Sequence, residues 1–132
     1  MVGSVIAEDL ADFGFSVTIA DINGSALARV SERSNQSIAI EQIDCSDQDA
    51  IAALVSPADI VLGALPSWLG FNALQTIIKS GKPYCDISFM EEDPRSLHEL
   101  AIEHGVTCVL DFGVAPGMSH LLCSVADETL DV

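Results

Sequence analysis

Asp21 closes the strand-like run "FSVTIAD", 18 residues after Gly3. A carboxylate at that distance beyond a glycine turn can accept hydrogen bonds from both hydroxyls of an adenosine ribose. It also repels a 2′-phosphate, and no arginine follows within several residues, so this reading favours NAD over NADP. The surrounding "ADINGS" reads equally well as a turn in which Asp21 prepares a helix N-terminus. Asn23 either caps that helix or contacts the ribose. Asp44, in "QIDCSD", has the same ambiguity: it can accept from an adenine amino group or cap a helix starting near Asp47. Gly3 has the place of the last glycine of a G-x-G-x-x-G turn, with "MVGSVIAEDLA" continuing as a helix.

Two further motifs sit where backbone can approach a ligand. "ALPS" (Ala64, Leu65, Pro66, Ser67) ends a strand in a tight turn, its plain alternative being a simple proline turn. "LDFGVAPGMSH" runs from a strand through Gly113, Pro116 and Gly117 into a helix. A helix start there would offer free N–H groups and a positive dipole end to a carboxylate or phosphate. The alternative is an ordinary strand-to-helix loop. His98 and His104 fall on a helix, whereas His120, one turn into the last helix, is open to either reading. Cys45, Cys85, Cys108 and Cys123 stand alone, without C-x-x-C pairing or histidines at metal-ligand spacing, and read as reduced, structural thiols; no metal is expected.

The elements that must position these residues repeat one grammar of helix, glycine, apolar strand and aspartate. It appears in "EDLADFG-FSVTIAD", "LQTIIKSG-KPYCDIS" and "LHELAIEHG-VTCVLD". Gly14, Gly81 and Gly105 suit the left-handed position that ends a helix. The strands after them are apolar on both faces, as buried parallel strands are. "QSIAIEQID" and "ADIVLGALP" supply two more strands. Periodicity predicts a first helix with Val2, Ile6, Leu10 and Phe13 on its apolar face. Others are predicted at about 24–34, 47–55, 69–80 and 92–104, with a last one beginning near Gly117 with Leu121, Leu122 and Val125 as its apolar positions. Strands alternating with helices imply a parallel α/β sheet with ligands beyond its carboxyl edge, where Asp21, Asp44, Pro66, Asp86 and Asp111 fall.

Composition narrows the classes. At 132 residues the chain is one domain's worth, and 49% apolar residues argue against disorder. A net charge of −15 repels polyanions, so nucleic acid is not an expected partner. No apolar run approaches the roughly 18 residues of a membrane span, and Glu8, Asp9 and Asp12 do not suit a signal peptide. The expectation is a cytoplasmic domain with no membrane partner.

Taken together, "GSVIAEDLA", "VTIADIN", "DCSD", "ALPSWLG", "GKPYCDISF" and "LDFGVAPGMSHLL" resemble the N-terminal domain of saccharopine dehydrogenase-like proteins, lysine 6-dehydrogenase branch. The resemblance covers essentially the whole chain. It implies a Rossmann-type doubly wound parallel sheet and an NAD(P)-dependent oxidoreductase acting on the carbon–nitrogen bond of an amino acid. It would place Gly3, Asp21, Asn23, Asp44 and the Leu65–Ser67 turn on the cofactor. Ser88, Asp111, Gly113, Pro116 and Gly117 would face the nicotinamide and the amino-acid substrate. No catalytic acid or base is assigned. The resemblance also implies that residues 1–132 are a partial domain lacking the first strand, in an order 3-2-(1)-4-5-6. A downstream substrate-binding, homodimer-forming domain would be absent. The chain alone is then expected to bind NAD poorly and to be inactive. The alternative is a dinucleotide-binding module without catalysis, such as a redox sensor.

Overall fold

The computed structural model describes residues 2–130, which divide into two compact units on either side of the Ile51–Ala52 bond. In the first, helix α1 (Val2–Asp12) leads to β1 (Thr18–Asp21), α2 (Gly24–Arg33) and β2 (Ala39–Gln42). β1 and β2 pair in parallel, Thr18 opposite Ala39 and Asp21 opposite Gln42. The core joins Ala7, Val30 and Ile38, with Ala11, Val17 and Ile19 packed against it. This corrects the expected helix face at its two ends, while Ile6 and Leu10 between them are half-buried. Ala7 belongs to the core and Ala11 packs against it, while Val2 and Phe13 are 60% and 82% exposed.

Helix α3 (Gln48–Val55) carries the boundary between the units. The second unit then holds β3 (Val61–Gly63), α4 (Ser67–Lys79), β4 (Tyr84–Asp86), α5 (His98–His104), β5 (Cys108–Val109) and α6 (Met118–Thr129). Its sheet is parallel in the order β3-β4-β5. α4 is buried on several sides through Ala73, Leu74, Thr76, Ile77 and Ile78, and Tyr84 and Asp86 of β4 are buried as well. The single helix expected at 92–104 is instead a 3-10 turn (Pro94–Leu97) followed by α5. Asp93 caps that turn, and Pro94, lacking an N–H, suits a first helical position. The helix expected near Gly117 is present as α6, with its apolar Leu121, Leu122 and Val125 exposed.

Within each unit the pairing agrees with the expected order, β2 beside β1 and β3-β4-β5 in sequence, all parallel. Gly14, Gly81 and Gly105 take positive φ at helix ends, as the repeated grammar predicts. β2 is exposed along its whole length, unlike the both-face burial typical of parallel strands.

Candidate functional site

The carboxyl edge of the first unit is built from short-range bonds. The Asn23 N–H donates to Asp21 Oδ1 at 2.8 Å, and the Ala26 N–H donates to Asn23 Oδ1 at 3.1 Å. Asp21 therefore shapes the turn and Asn23 caps α2. Both turn-forming readings of "ADINGS" are realised, leaving any ligand role additional to them. Gln42 reaches across from β2, its Nε2 donating to the Ile22 carbonyl at 3.1 Å. A Cβ on Gly24 would lie 2.6 Å from Gln42 Oε1, the mobile end of an exposed side chain that can move aside.

Asp44 does not cap α3. Asp47 does, its Oδ1 accepting from the Asp49 and Ala50 N–H groups at 3.0 and 3.2 Å. Asp44 Oδ1 instead accepts from the Ser46 N–H at 2.9 Å, which holds its carboxyl below the usual carboxylate range. Asp21 and Asp44 act on the same thiol. Burial first, then these two carboxylates, push Cys45 up, so it stays a protonated thiol rather than a nucleophile. Burial likewise raises Cys85 and Cys108. Gly3 stands at the second position of α1, half-buried.

The second unit brings its predicted residues together through the turn after β4. Ser88 Oγ donates to the Leu65 carbonyl at 2.9 Å, joining the 86–88 turn to the Leu65–Ser67 turn. The Phe112 N–H donates to the Asp86 carbonyl at 3.0 Å, and a Cβ on Gly113 would lie 3.6 Å from the Ile87 carbonyl oxygen. One short segment thus contacts both ligand-approach motifs. α4 starts at Ser67 behind Pro66 with no side-chain cap, so its positive dipole end is not neutralised by a side-chain acceptor.

The expected anion seat at α6 is corrected. The Met118, Ser119 and His120 N–H groups donate to the carbonyls of Gly113, Val114 and Gly117, and the Gly117 N–H donates to His120 Nδ1. The loop satisfies the helix's own first turn, and His120 closes it. Gly117, at φ +127°, is required by this loop, since a Cβ there would sit 2.3 Å from the Gly113 carbonyl oxygen. Asp111 is exposed with φ +56°, and Ala115–Pro116 is cis.

Sequence reasoning placed Asp86 at a strand end but gave it no role. It is fully buried, with Oδ2 accepting from the Tyr84 hydroxyl at 2.9 Å and Oδ1 from the Ser88 N–H at 2.8 Å. The available signal was Gly63 inside an apolar strand, a mark of close approach. A Cβ there would lie 1.9 Å from Tyr84 Oη and 2.7 Å from Asp86 Oδ1. Among the described residues, no group of three or more His, Cys, Asp or Glu could hold a metal ion, and no helix is long and apolar enough to cross a membrane.

Comparison with known proteins agrees with this architecture. The family model described as the saccharopine dehydrogenase NADP binding domain matches residues 1–109. Saccharopine dehydrogenase [NADP(+), L-glutamate-forming] of Schizosaccharomyces pombe is 32% identical over 79 residues, covering 60% of this chain and 18% of the relative. The alpha-aminoadipic semialdehyde synthase of Arabidopsis thaliana is 30% identical over 81 residues, covering 61% of this chain and 8% of its own. The solved apo histidine-tagged saccharopine dehydrogenase (L-Glu forming) of Saccharomyces cerevisiae superposes with a TM-score of 0.80 at 20% identity, over 95% of this chain and 28% of that one. The chain therefore spans less than a third of the length of each of these relatives. It belongs to the saccharopine dehydrogenase NADP-binding domain family, a family of nicotinamide dinucleotide-binding domains.

Proposed function

We propose that this member of the family is the cofactor-binding part of an NAD(P)-dependent oxidoreductase acting on a carbon–nitrogen bond of an amino acid, of saccharopine or lysine 6-dehydrogenase type. The observation that carries the reading is positional: Asp21, Asp44, Leu65–Ser67 and Ser88 fall at or just beyond the carboxyl ends of parallel strands. That is where open α/β sheets bind nucleotides. Asp21, Asn23 and Asp44 would meet the adenosine end. The uncapped start of α4 suits an anionic or polar ligand group, with Leu65–Ser67 beside the nicotinamide ribose and Ser88 near the ring. When bound, the nicotinamide accepts or donates hydride.

The family's description favours NADP over the NAD expected from Asp21. Asp21 already serves the turn before α2, which weakens the inference from this carboxylate to NAD. A homodimer, an amino-acid substrate and a cytoplasmic setting complete the proposal. A dinucleotide-binding module without catalysis is the competing reading.

Titrating the chain and its Asp21→Ala variant with NADPH and NADH tests the cofactor assignment. Tighter binding of NADPH than NADH supports it. If Asp21 faces the ribose, the substitution weakens NADH more than NADPH, whereas equal loss for both reduces Asp21 to its turn role. The enzymatic reading is tested by following reduced nicotinamide with saccharopine or L-lysine as substrate, and cofactor binding without turnover in the protein carrying this chain favours the non-catalytic module.

A further inference from the structure

Asp86 is an acid at the carboxyl end of β4, fully removed from solvent. Burying a carboxylate is unfavourable unless its oxygens are hydrogen-bonded, and an apolar residue would fill a buried strand end without that requirement. Here each oxygen has one donor, the Tyr84 hydroxyl on Oδ2 and the Ser88 N–H on Oδ1. A carboxylate suits this place because it accepts at both ends, while an amide would present a donor to one of them. The geometry around it is tightly defined. Gly63, opposite Asp86 in the parallel register, has no room for a Cβ, and that space is taken by the Tyr84 hydroxyl. Tyr84 itself is 1% exposed.

What the carboxylate holds is the start of a relay. With its N–H fixed by Asp86, Ser88 directs its hydroxyl onto the Leu65 carbonyl, a bond spanning 23 residues of chain. Leu65 leads directly into Pro66 and the uncapped first turn of α4. We propose that Asp86 is the positioning residue of this edge: its buried carboxylate fixes Ser88, and Ser88 fixes the Leu65–Ser67 turn against the nicotinamide ribose. Asp86 touches no ligand in this account and acts only through Ser88. The ligand half of the statement rests on the dinucleotide reading above, whereas the relay does not.

The carbonyl carbon of Leu65, labelled in the 132-residue chain, reports the last bond of the relay by NMR. Ser88→Ala removes that bond and shifts the Leu65 resonance upfield. Asp86→Asn, which keeps the volume and one acceptor, is expected to shift it in the same direction. The double variant should match Ser88→Ala alone, because residues acting in series are not additive. A Leu65 resonance unmoved by Asp86→Asn, in a chain whose melting and circular dichroism show it folded, overturns the proposal and leaves Asp86 a packing residue. Should Asp86→Asn unfold the chain, the wild-type chain decides: a coupling through the hydrogen bond from the Ser88 nitrogen to the Asp86 carboxyl carbon is required, and its absence overturns the relay. With NADPH as probe, Asp86→Asn and Ser88→Ala should each weaken binding about tenfold, non-additively. An unchanged affinity despite a moved Leu65 resonance overturns the ligand half. No NADPH binding by the protein carrying this chain refutes the dinucleotide reading, and the Leu65 response still judges the relay.

Discussion

The two carboxyl edges of this molecule are built by opposite means. In the first unit, Asp21, Asn23 and Asp44 are exposed, and their bonds reach two or three residues along the chain. In the second, Asp86 and Ser88 are buried, and Ser88 is tied to Leu65 across 23 residues. Local bonds of the first kind form wherever the turn forms and leave the side chains in water. Bonds of the second kind need the whole sheet in place and then resist displacement. A purine ribose offers hydroxyls that exposed acceptors can meet with small adjustments. A group that must present one face for hydride transfer needs a wall that does not move. The contrast matches the two ends of the proposed cofactor.

The largest break in this contrast is Gly63→Ala. Its new Cβ would meet Tyr84 Oη at 1.9 Å and Cζ at 2.6 Å, in a site where the ring has nowhere to go. We expect a loss of about 3 kcal/mol in denaturant unfolding. Adding Tyr84→Phe should recover part of it by removing the hydroxyl. A near-neutral Gly63→Ala would show that the second unit's edge is as adaptable as the first's. Tyr84→Phe alone leaves one oxygen of a buried carboxylate without its donor and should destabilise by about 1–2 kcal/mol in the same measurement.

On the exposed side the effects shrink. Asn23→Ala removes the cap of α2 and should lower stability by about 1 kcal/mol, with Asn23→Asp close to neutral. Equal losses for both would argue against a capping role. Asp44 tests the comparison through pH. The Ser46 backbone N–H, with its side chain, lowers the folded pKa of Asp44 below its unfolded value. The stabilisation is therefore complete above the ordinary carboxylate range and is lost as the pH falls through the folded pKa. Carboxyl-carbon NMR should place the midpoint below that of a model aspartate, and Asp44→Asn should abolish this part of the acid response. A midpoint at or above the model value would contradict the Ser46 bond.

These regions also differ in how far they were legible before folding. Asn23 capping α2, the parallel strands and the left-handed Gly14, Gly81 and Gly105 follow from spacing within a few residues, and the structure has them. Where the reading went astray, contacts over long sequence separations or local alternatives decided. The apolar stripe of α1 runs through Val2, Ile6, Leu10 and Phe13, yet Val2 and Phe13 are exposed, Ile6 and Leu10 are half-buried, and the core is met by Ala7 with Ala11 packed against it. The free N–H groups expected at α6 are used by the loop that precedes it, a closure that depends on the backbone angles of Gly113–Gly117 rather than on residue type. In sequence Asp44 reads as an adenine acceptor or as the cap of the helix starting near Asp47; the cap is Asp47 itself, and the carboxylate three residues earlier bonds Ser46 instead. Asp86 was invisible as a hub because its partners, the Tyr84 hydroxyl and the space above Gly63, exist only once β3 and β4 pair.

The central claim is that both edges meet a nicotinamide dinucleotide, and the most direct measurement is an amide NMR titration of the nitrogen-labelled chain with NADPH. Weak binding is readable by this means. The account predicts chemical-shift changes concentrated at Asp21–Ser25, Asp44–Ser46, the amides of Leu65, Ser67 and Trp68, and Ser88. Changes that saturate together would identify one ligand meeting both sets. Shifts confined to other segments, or a spectrum unmoved at saturating NADPH and NADH, would contradict it.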